Sequence, residues 1–294
     1  MLIKKQEILS KLMNLQEKCP VCTTKNSKYL FPIKTGQLIE CSNCHLIYYT
    51  PQPLPQELEE FYNSEDYRSK FSESLMSGSE FASNRYLQFE KALKKYTPKV
   101  LTQSSRQLLD IGCGTGDFLK VAQQHNWQVT GTEISSLASA KANKLLGQDC
   151  VIPGDILSLD LPSNHYDVVT LYHVIEHLLE PNNLIQKVYQ VLKPGGVFFL
   201  ETPNIAGFGA RLKGKEWSQI KPPEHIIYFK FNSLRYCLQF ANFTNNFIFT
   251  SSPLIIESTQ NMSNIQRKIT NTLYKFLPLI NMGALLQSIA IKTK

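Results

Sequence analysis

The chain has 294 residues, which allows one large domain with a smaller one, or two modest domains. Hydrophobic residues make up 43% of it and charged residues 19%, so a packed core can form and global disorder is excluded. The net charge is +7, and the basic excess is concentrated in the segment 205–294, where eleven Lys and Arg against three Asp and Glu could face an anionic partner.

The first 18 residues predict an amphipathic helix, because apolar side chains recur at helical spacing from Ile8 to Leu15. Lys and Glu interrupt this stretch, so it lacks the continuous apolar region of a signal peptide. The apolar runs elsewhere are far shorter than the roughly 20 residues that cross a bilayer. We therefore expect a cytoplasmic protein with no transmembrane segment, and the sequence leaves its oligomeric state open.

Four of the seven cysteines form two C-x2-C pairs that eighteen residues separate: Cys19, Cys22, Cys41 and Cys44. Each pair can hold an ion from one side, and a hairpin that turns near Thr35 would bring the pairs together into a tetrahedron. The odd cysteine count and the lack of a secretion signal argue against disulfides. We expect residues 19–50 to form a zinc ribbon around one structural zinc ion. Four unligated thiols are the alternative.

Three prolines follow the cysteines, at positions 51, 53 and 55, and predict a stiff linker. Helical patterns come after them over 58–67 and 81–96. We therefore treat 51–104 as a proline linker and helical segment that packs on the next domain.

Short apolar runs alternate with amphipathic stretches from residue 107 onward. This pattern predicts strands over 108–111, 128–132, 150–152, 167–172 and 196–202, and helices over 117–125, 136–146 and 182–192. Strands separated by helices of about ten residues form a parallel, doubly wound α/β sheet. An irregular segment is predicted at 203–230, then a helix over 232–241 and strands over 246–250 and 285–291. The α/β domain is thus placed at 105–252, with 253–294 completing the sheet.

Three glycines directly follow the first of these strands: Gly112, Gly114 and Gly116. They let the backbone bend sharply and approach a ligand before the next helix begins. The following strand ends in Glu133, a carboxylate suited to two ribose hydroxyls. A dinucleotide fingerprint needs a third glycine where Asp117 stands, and this carboxylate would repel a pyrophosphate. Asp117 and Asp110 instead favour a cationic sulfonium cofactor with an amino-acid tail.

Six motifs in this order resemble those of class I S-adenosylmethionine-dependent methyltransferases. They are LDIGCGTGDF at 109–118, Glu133, Gly154-Asp155-Ile156, Tyr166-Asp167-Val168-Val169, YHVIEHL at 172–178 and LKPGG at 192–196. The resemblance implies a Rossmann-like, mostly parallel seven-stranded sheet and S-adenosylmethionine as cofactor. It also implies that the three glycines line the methionine and ribose portions and that Glu133 binds the ribose hydroxyls. By the same resemblance Asp155 contacts the adenine amino group, beside Ile156. Asp110 and His173 are assigned to this cofactor site as well.

The N-terminal cysteines restrict the resemblance to a smaller group of methyltransferases. CPVC, CSNC and the run PPEHIIYF at 222–229 are together similar to bacterial zinc-ribbon methyltransferases, which are often linked to surface polysaccharides or nucleotide sugars. This similarity implies a sugar or sugar nucleotide as the methyl acceptor, with C- and O-methylation both open.

Side chains that could act on the acceptor occur in two places. His173, Glu176 and His177 follow the fourth strand of the α/β domain, and on a helix their spacing would put them on one face. Glu224 and His225 lie in the irregular segment, which we expect to cover the pocket. We predict His225, His177 and Glu224 as catalytic residues, with a histidine taking the acceptor proton.

The same side chains leave two other interpretations open. His173, Glu176, His177 and His225 could bind one divalent metal ion, softer than Mg²⁺ because the set is rich in histidine. Alternatively, these residues only pack and cap the segments that carry them.

The predicted function is methyl transfer from S-adenosylmethionine to a small glycosidic or anionic acceptor. One alternative is an RNA methyltransferase whose zinc ribbon contacts the nucleic acid. The basic flanks favour it, and the lack of an N/D-P-P-Y motif weighs against it. Another alternative is a non-catalytic zinc-ribbon interaction protein with a vestigial cofactor fold, against which the intact glycines argue.

Overall fold

The chain folds around two β-sheets, and a computed structural model describes its residues 18–63, 79–252, 272 and 275–293. The helix predicted within residues 1–18 lies outside these ranges, apart from Lys18. Among the helices in the described ranges, none is long and apolar enough to cross a membrane.

The smaller sheet has four antiparallel strands in the order β1-β2-β3-β9. Strands β1 (Ser27–Ile33) and β2 (Gly36–Cys41) form the hairpin that the cysteine spacing predicts, and β3 (Ile47–Thr50) pairs with the other edge of β2. Strand β9 (Ile227–Tyr228) pairs with β3 from a distant part of the chain. The segment 203–230, predicted to be irregular, therefore contributes a strand to this sheet.

The larger sheet has seven strands in the order β10-β11-β8-β7-β4-β5-β6. Their bounds are β4 Gln107–Ile111, β5 Gln128–Glu133, β6 Val151–Pro153, β7 Tyr166–Tyr172, β8 Leu192–Pro203, β10 Asn245–Ser251 and β11 Leu285–Ile291. Strands β4 to β8 run parallel, and β11 lies antiparallel between β8 and β10. The predicted mostly parallel, seven-stranded α/β fold is confirmed.

Helices connect the parallel strands, as the alternating pattern predicts. The α-helices of the described ranges are α1 Pro55–Asn63, α2 Ser79–Tyr96, α3 Asp117–Gln124, α4 Ser136–Leu146, α5 Pro181–Val191, α6 Phe208–Lys213 and α7 Phe231–Phe240. Helix α4 begins where the Ser135 hydroxyl accepts the Ala138 amide, and it ends before Gly147, which has a φ of +73°. Helix α6 lies in the segment predicted to be irregular.

An aromatic core packs α2 against one side of the larger sheet. Phe89 is fully buried at its centre, and its ring centroid lies 5.6 Å from that of Phe118, 5.9 Å from that of Trp127 and 5.6 Å from that of Phe199. Helices α3 and α4 share this core. Aromatic side chains at these separations stabilise the packing of helix on sheet.

A second core joins the smaller sheet to the α/β domain. Leu38 and Tyr48 of the smaller sheet and the adjoining Leu46 are completely buried, and they belong to the same apolar cluster as Leu109 and Phe198 of the larger sheet. The segment 19–50, which carries the four cysteines, therefore shares its core with the α/β domain.

Replacing Phe89 by alanine should lower the free energy of unfolding by about 3–5 kcal/mol, because it removes a fully buried aromatic side chain. Leu87→Ala, at an exposed position of the same helix, is the matched control and should change the free energy by less than about 0.5 kcal/mol. Urea denaturation followed by circular dichroism measures both. Equal stability of the two variants would contradict this account of the core.

Candidate cofactor and acceptor site

The glycine loop lies at the carboxyl end of β4. Gly112 and Gly116 have φ values of +69° and +83°, in the left-handed region that favours glycine. A Cβ at Gly112 would also lie 2.5 Å from Cγ2 of Val174, so a larger residue would displace the segment that follows β7. The loop reverses the chain before α3 begins at Asp117, at the edge where open α/β sheets bind ligands.

Glu133 lies beside this loop. Its Oε2 accepts the Gly114 amide at 2.9 Å, and its Oε1 accepts the Ser135 amide at 2.9 Å. Burial raises the pKa of the carboxyl, while these backbone hydrogen bonds oppose the rise. The structure thus places Glu133 next to Gly114, and its contact with ribose remains a prediction.

The other acids predicted for the cofactor occupy different surroundings. Asp110 is buried in β4, where its Oδ1 accepts the Thr170 hydroxyl at 2.7 Å and burial raises its pKa to about 7. Asp155 is exposed after β6, beside the buried Ile156, and its Oδ1 accepts the Leu157 amide. Asp155 lies at the loop edge with Glu133, whereas Asp110 lies inside the sheet.

His173 is held between two buried carboxylates. Its Nδ1 lies 3.3 Å from Oε1 of Glu176, and its Nε2 lies 3.4 Å from Oε1 of Glu201. Burial alone would lower the pKa of this imidazole. The two carboxylates together outweigh burial and raise the pKa to about 9. Arg85 lies 4.0 Å from Glu201, with its guanidinium over the ring of Tyr172.

Sequence reasoning missed Glu201 and Arg85. The available signal for Glu201 was its position near the carboxyl end of β8, the same rule that selected Glu133 at the end of β5. Nothing in the sequence around Arg85 marked it, because its partner lies more than a hundred residues away.

The segment after β7 does not form the predicted helix face. Ile175–His177 is a single 3-10 turn, His173 precedes it with a φ of +56°, and the next α-helix begins only at Pro181. The expectation of His173, Glu176 and His177 on one helical face is therefore wrong. The turn instead separates the two histidines, and His173 faces Glu201.

Glu176, His177 and His225 do come together. One ligand atom from each lies within 4.8 Å of the others. The Nδ1 of His177 lies 2.7 Å from the Glu224 carbonyl oxygen, and the Nδ1 of His225 lies 3.0 Å from the Gln219 carbonyl oxygen. Because a carbonyl only accepts, each Nδ1 is the donor, and in the neutral ring Nε2 then carries the lone pair. We refer to Glu176, His177 and His225 as the acceptor group.

The charge states of the acceptor group follow from its burial and its neighbours. Oε2 of Glu176 accepts the Thr202 hydroxyl at 2.9 Å. Burial would raise the pKa of Glu176, but the contacts with His173 lower it to about 2, so the carboxylate is charged. Burial lowers the pKa of His225 to about 3, so this imidazole is neutral at neutral pH. Oε1 of Glu224 lies 2.5 Å from Nζ of Lys221 and 4.0 Å from Nε2 of His225, at the margin of the group.

The four paired cysteines form a second cluster. Their Sγ atoms lie within 4.8 Å of one another, with Cys19 and Cys44 at 3.5 Å and Cys22 and Cys41 at 3.3 Å. Tetrahedral zinc with Zn–S bonds of about 2.3 Å needs similar separations, of about 3.8 Å. The hydrogen bond between Cys19 and Cys44 lowers the pKa of the Cys19 thiol to about 5 and raises that of Cys44. The residues present fit a zinc ion.

A family model for a methyltransferase domain matches residues 81–246. A ubiquinone biosynthesis O-methyltransferase from Coxiella burnetii is 31% identical over 114 residues, covering 37% of this chain and 49% of that protein. A protein of the same name from Leptothrix cholodnii is 36% identical over 105 residues, covering 33% and 44%. The chain thus spans about half the length of the curated relatives it matches.

Solved structures share the fold. A SAM-dependent methyltransferase from Archaeoglobus fulgidus superposes with a TM-score of 0.54 at 22% identity, covering 77% of this chain and all of that one. Phosphoethanolamine N-methyltransferase 2 from Haemonchus contortus, in complex with S-adenosyl-L-methionine, gives a TM-score of 0.57 at 15% identity, covering 84% and 62%. Since the family model spans more than half of the residues, the chain belongs to the methyltransferase domain family.

Proposed function

We propose that the chain transfers the methyl group of S-adenosylmethionine to a small acceptor of the sugar or sugar-nucleotide class. The observation that carries the proposal is the bonding of Glu133 to the Gly114 amide at the carboxyl edge that also carries the acceptor group. A site for the donor and a site for the acceptor then lie at the same sheet edge, as an in-line displacement requires. The methyltransferase names of its relatives support the reaction class.

Glu133 is the residue we assign to the donor's ribose. Two backbone amides fix the position of its carboxylate, so little conformational entropy is lost when ribose hydroxyls donate to it. Asp155 and Ile156 at the same edge suit the adenine amino group and ring. Gly112 and Gly116 let the backbone pass close to the methionine portion.

Replacing Glu133 by alanine should weaken S-adenosylmethionine binding by at least about tenfold, since charge-assisted hydrogen bonds contribute about 1.5–3 kcal/mol. Asp149→Asn is the matched control, because Asp149 is an exposed acid after α4 and is not part of the glycine loop. Isothermal titration calorimetry measures both affinities. Unchanged affinity in the Glu133 variant would contradict the assignment.

The acceptor group supplies the proton chemistry. When bound, S-adenosylmethionine would supply an electrophilic methyl carbon, and transfer of this carbon to the acceptor atom would leave the sulfur as a neutral thioether. The acceptor loses a proton, either from a hydroxyl or from a carbon next to a carbonyl. Nε2 of His225 is the assigned base, and the nearby Glu176 carboxylate opposes the burial that lowers the pKa of this imidazole. The carboxylate of Glu176 then stabilises the imidazolium that forms. Glu224 borders the group, and His177 holds Glu224's carbonyl in place.

A divalent cation is a second candidate for the same place. Two histidines and one carboxylate are a common ligand set for divalent metals, and each imidazole donates its Nδ1–H to a backbone carbonyl, as metal-bound histidines do. Glu176, His177 and His225 would hold such an ion, which would lower the pKa of an acceptor hydroxyl. The notion of His173 as a fourth ligand is not supported, because both its ring nitrogens face carboxylates.

His225→Ala should leave donor affinity within about twofold of wild type and lower turnover by about 10²–10⁴-fold, the contribution typical of a positioned base. His165→Ala, at an exposed position before β7, is the control. Calorimetry and transfer of a radiolabelled methyl group measure the two effects. Turnover near wild type would contradict the role of His225.

Purified wild type and variants also test whether the acceptor group binds a cation. Titration with Co²⁺ should show a binding event that His177→Ala removes if the group holds a cation. If the wild type shows no such event while His225→Ala still suppresses turnover, His225 acts without a metal.

The acceptor class is supported by the resemblance to zinc-ribbon methyltransferases and by Trp217. This half-buried indole lies in the segment that precedes His225 and packs partly on the core, so it can stack on a sugar ring. The segment 19–50 shares its core with the α/β domain and is not a separate domain, an arrangement that favours a small acceptor over RNA. A panel of nucleotide sugars and total RNA, assayed with the labelled donor, distinguishes them. Label on RNA alone would overturn the sugar proposal.

We also propose a structural zinc ion at Cys19, Cys22, Cys41 and Cys44. Purified protein should contain one zinc ion per chain, and Cys19→Ser should lose it, because three thiolates no longer complete the tetrahedron. Cys150→Ser is the control, since Cys150 lies outside the cluster. Elemental analysis measures the metal. A zinc-free wild type, or equal zinc content in the two variants, would refute the site.

A further inference from the structure

Ile226, directly before strand β9, connects the segment with the four cysteines to the acceptor group. We use the name cysteine module for residues 19–50, which carry the four cysteines and strands β1 to β3. The amide of Tyr49 in this module donates to the carbonyl of Ile226 at 2.9 Å, and the amide of Ile226 donates to the carbonyl of Glu176 at 3.0 Å. The buried residue Ile226 is thus hydrogen-bonded through its carbonyl to the module and through its amide to the acceptor group.

The neighbours of Ile226 strengthen this connection. His225, of the acceptor group, precedes it directly, and the hydroxyl of Tyr228 donates to the carbonyl of His225 at 2.7 Å. Ile47 and Tyr48 of the module pair with Tyr228 and Ile227 in the sheet. His225 therefore lies two residues before a strand that has its sheet partner in the module.

A second connection fixes the first cysteine pair. Asn182 in α5 donates from Nδ2 to the carbonyl of Val21 at 2.6 Å, and its Oδ1 accepts the thiol of Cys237 at 3.3 Å. Val21 stands between Cys19 and Cys22 and is completely buried. The metal-binding turn is thus attached to the α/β domain near the segment that carries Glu176.

The donor site has support that the cysteine module does not share. Ile111 and Ile156 at the donor site belong to the same core as the module, but helices α3 and α4, which flank the glycine loop, pack with α2 in the separate aromatic core around Phe89. Loss of order in the module should therefore reach the acceptor group before it reaches the glycine loop.

We propose that the metal-loaded cysteine module is a positioning element of the acceptor site, which holds His225 and Glu176 in place through Ile226 and Tyr228. This inference rests on the proposed function and assigns the module a role in turnover that is separate from donor binding. Small cysteine-rich modules obtain their folding free energy from the metal, so removal of the metal should release β3 and with it β9. Misplacement of His225 by about 1 Å would be enough to suppress turnover by about a hundredfold.

The first experiment removes the metal from the full-length chain with a chelator and follows it by elemental analysis. Hydrogen–deuterium exchange should rise in a peptide that covers 222–229, while a peptide that covers 107–118, with β4 and the glycine loop, should keep its protection. Donor affinity should remain within about twofold of the loaded protein, and readdition of Zn²⁺ should restore protection. Unchanged protection of 222–229, or loss of donor binding together with it, would overturn the proposal.

The second experiment leaves the metal in place. Tyr228→Phe removes the hydroxyl that bonds to the carbonyl of His225 and should lower kcat about tenfold, with donor affinity and zinc content unchanged. Tyr236→Phe is the matched control, because Tyr236 also contacts the module, through Asn43, but lies outside β9. An unchanged kcat for Tyr228→Phe, or equal losses in both variants, would overturn the positioning role.

These readouts separate this proposal from the proposed function. If the wild type methylates none of the tested acceptors, the proposed function fails, and the exchange experiment still shows whether the metal holds β9. If methylation occurs but neither the chelated protein nor Tyr228→Phe differs from wild type, the proposed function stands and the positioning role fails.

Discussion

The parallel register of β4, β5, β7 and β8 is the constraint on which the candidate site depends. Parallel strands end at one edge, so Ile111, Glu133, Tyr172 and the last residues of β8 meet there although long crossovers separate them in sequence. The glycine loop, Glu133 and the turn at Ile175–His177 all lie at this edge. A slip of any one of these strands by one residue would turn the side chains of that strand to the other face of the sheet.

Buried charge at this edge is arranged so that each ion has a partner. Isolated carboxylates such as Glu176 and Glu201 would be strongly destabilised in the interior, and a single imidazolium, His173, lies between them. Arg85 and Gln287 add further contacts to Glu201. The arrangement keeps Glu176 ionised, so the histidines of the acceptor group have a fixed negative charge beside them.

The sequence predicts the elements whose signals are local. Helix α4 and strand β11 have the predicted bounds, because capping and periodicity are contained within each segment. Two features depend on distant partners and were not predicted. Strand β9 has only two residues and exists through its pairing with β3, and His173 leaves the helical face because two carboxylates hold it. Local patterns identified His225 as a candidate, but its hydrogen bond to Gln219 required the fold.

The cysteine module is too small to bury a core alone, and this explains how it is integrated. Domains well below about 60 residues bury too little apolar surface for independent stability and use metals or neighbours instead. The cysteine module has both a candidate metal site and a neighbouring domain to pack against. The cysteines fit one ion, and Leu38, Leu46 and Tyr48 complete their burial against the α/β domain. Because β9 occupies the edge of β3, that edge is unavailable to a partner strand, and the segment that closes it is the one that carries His225.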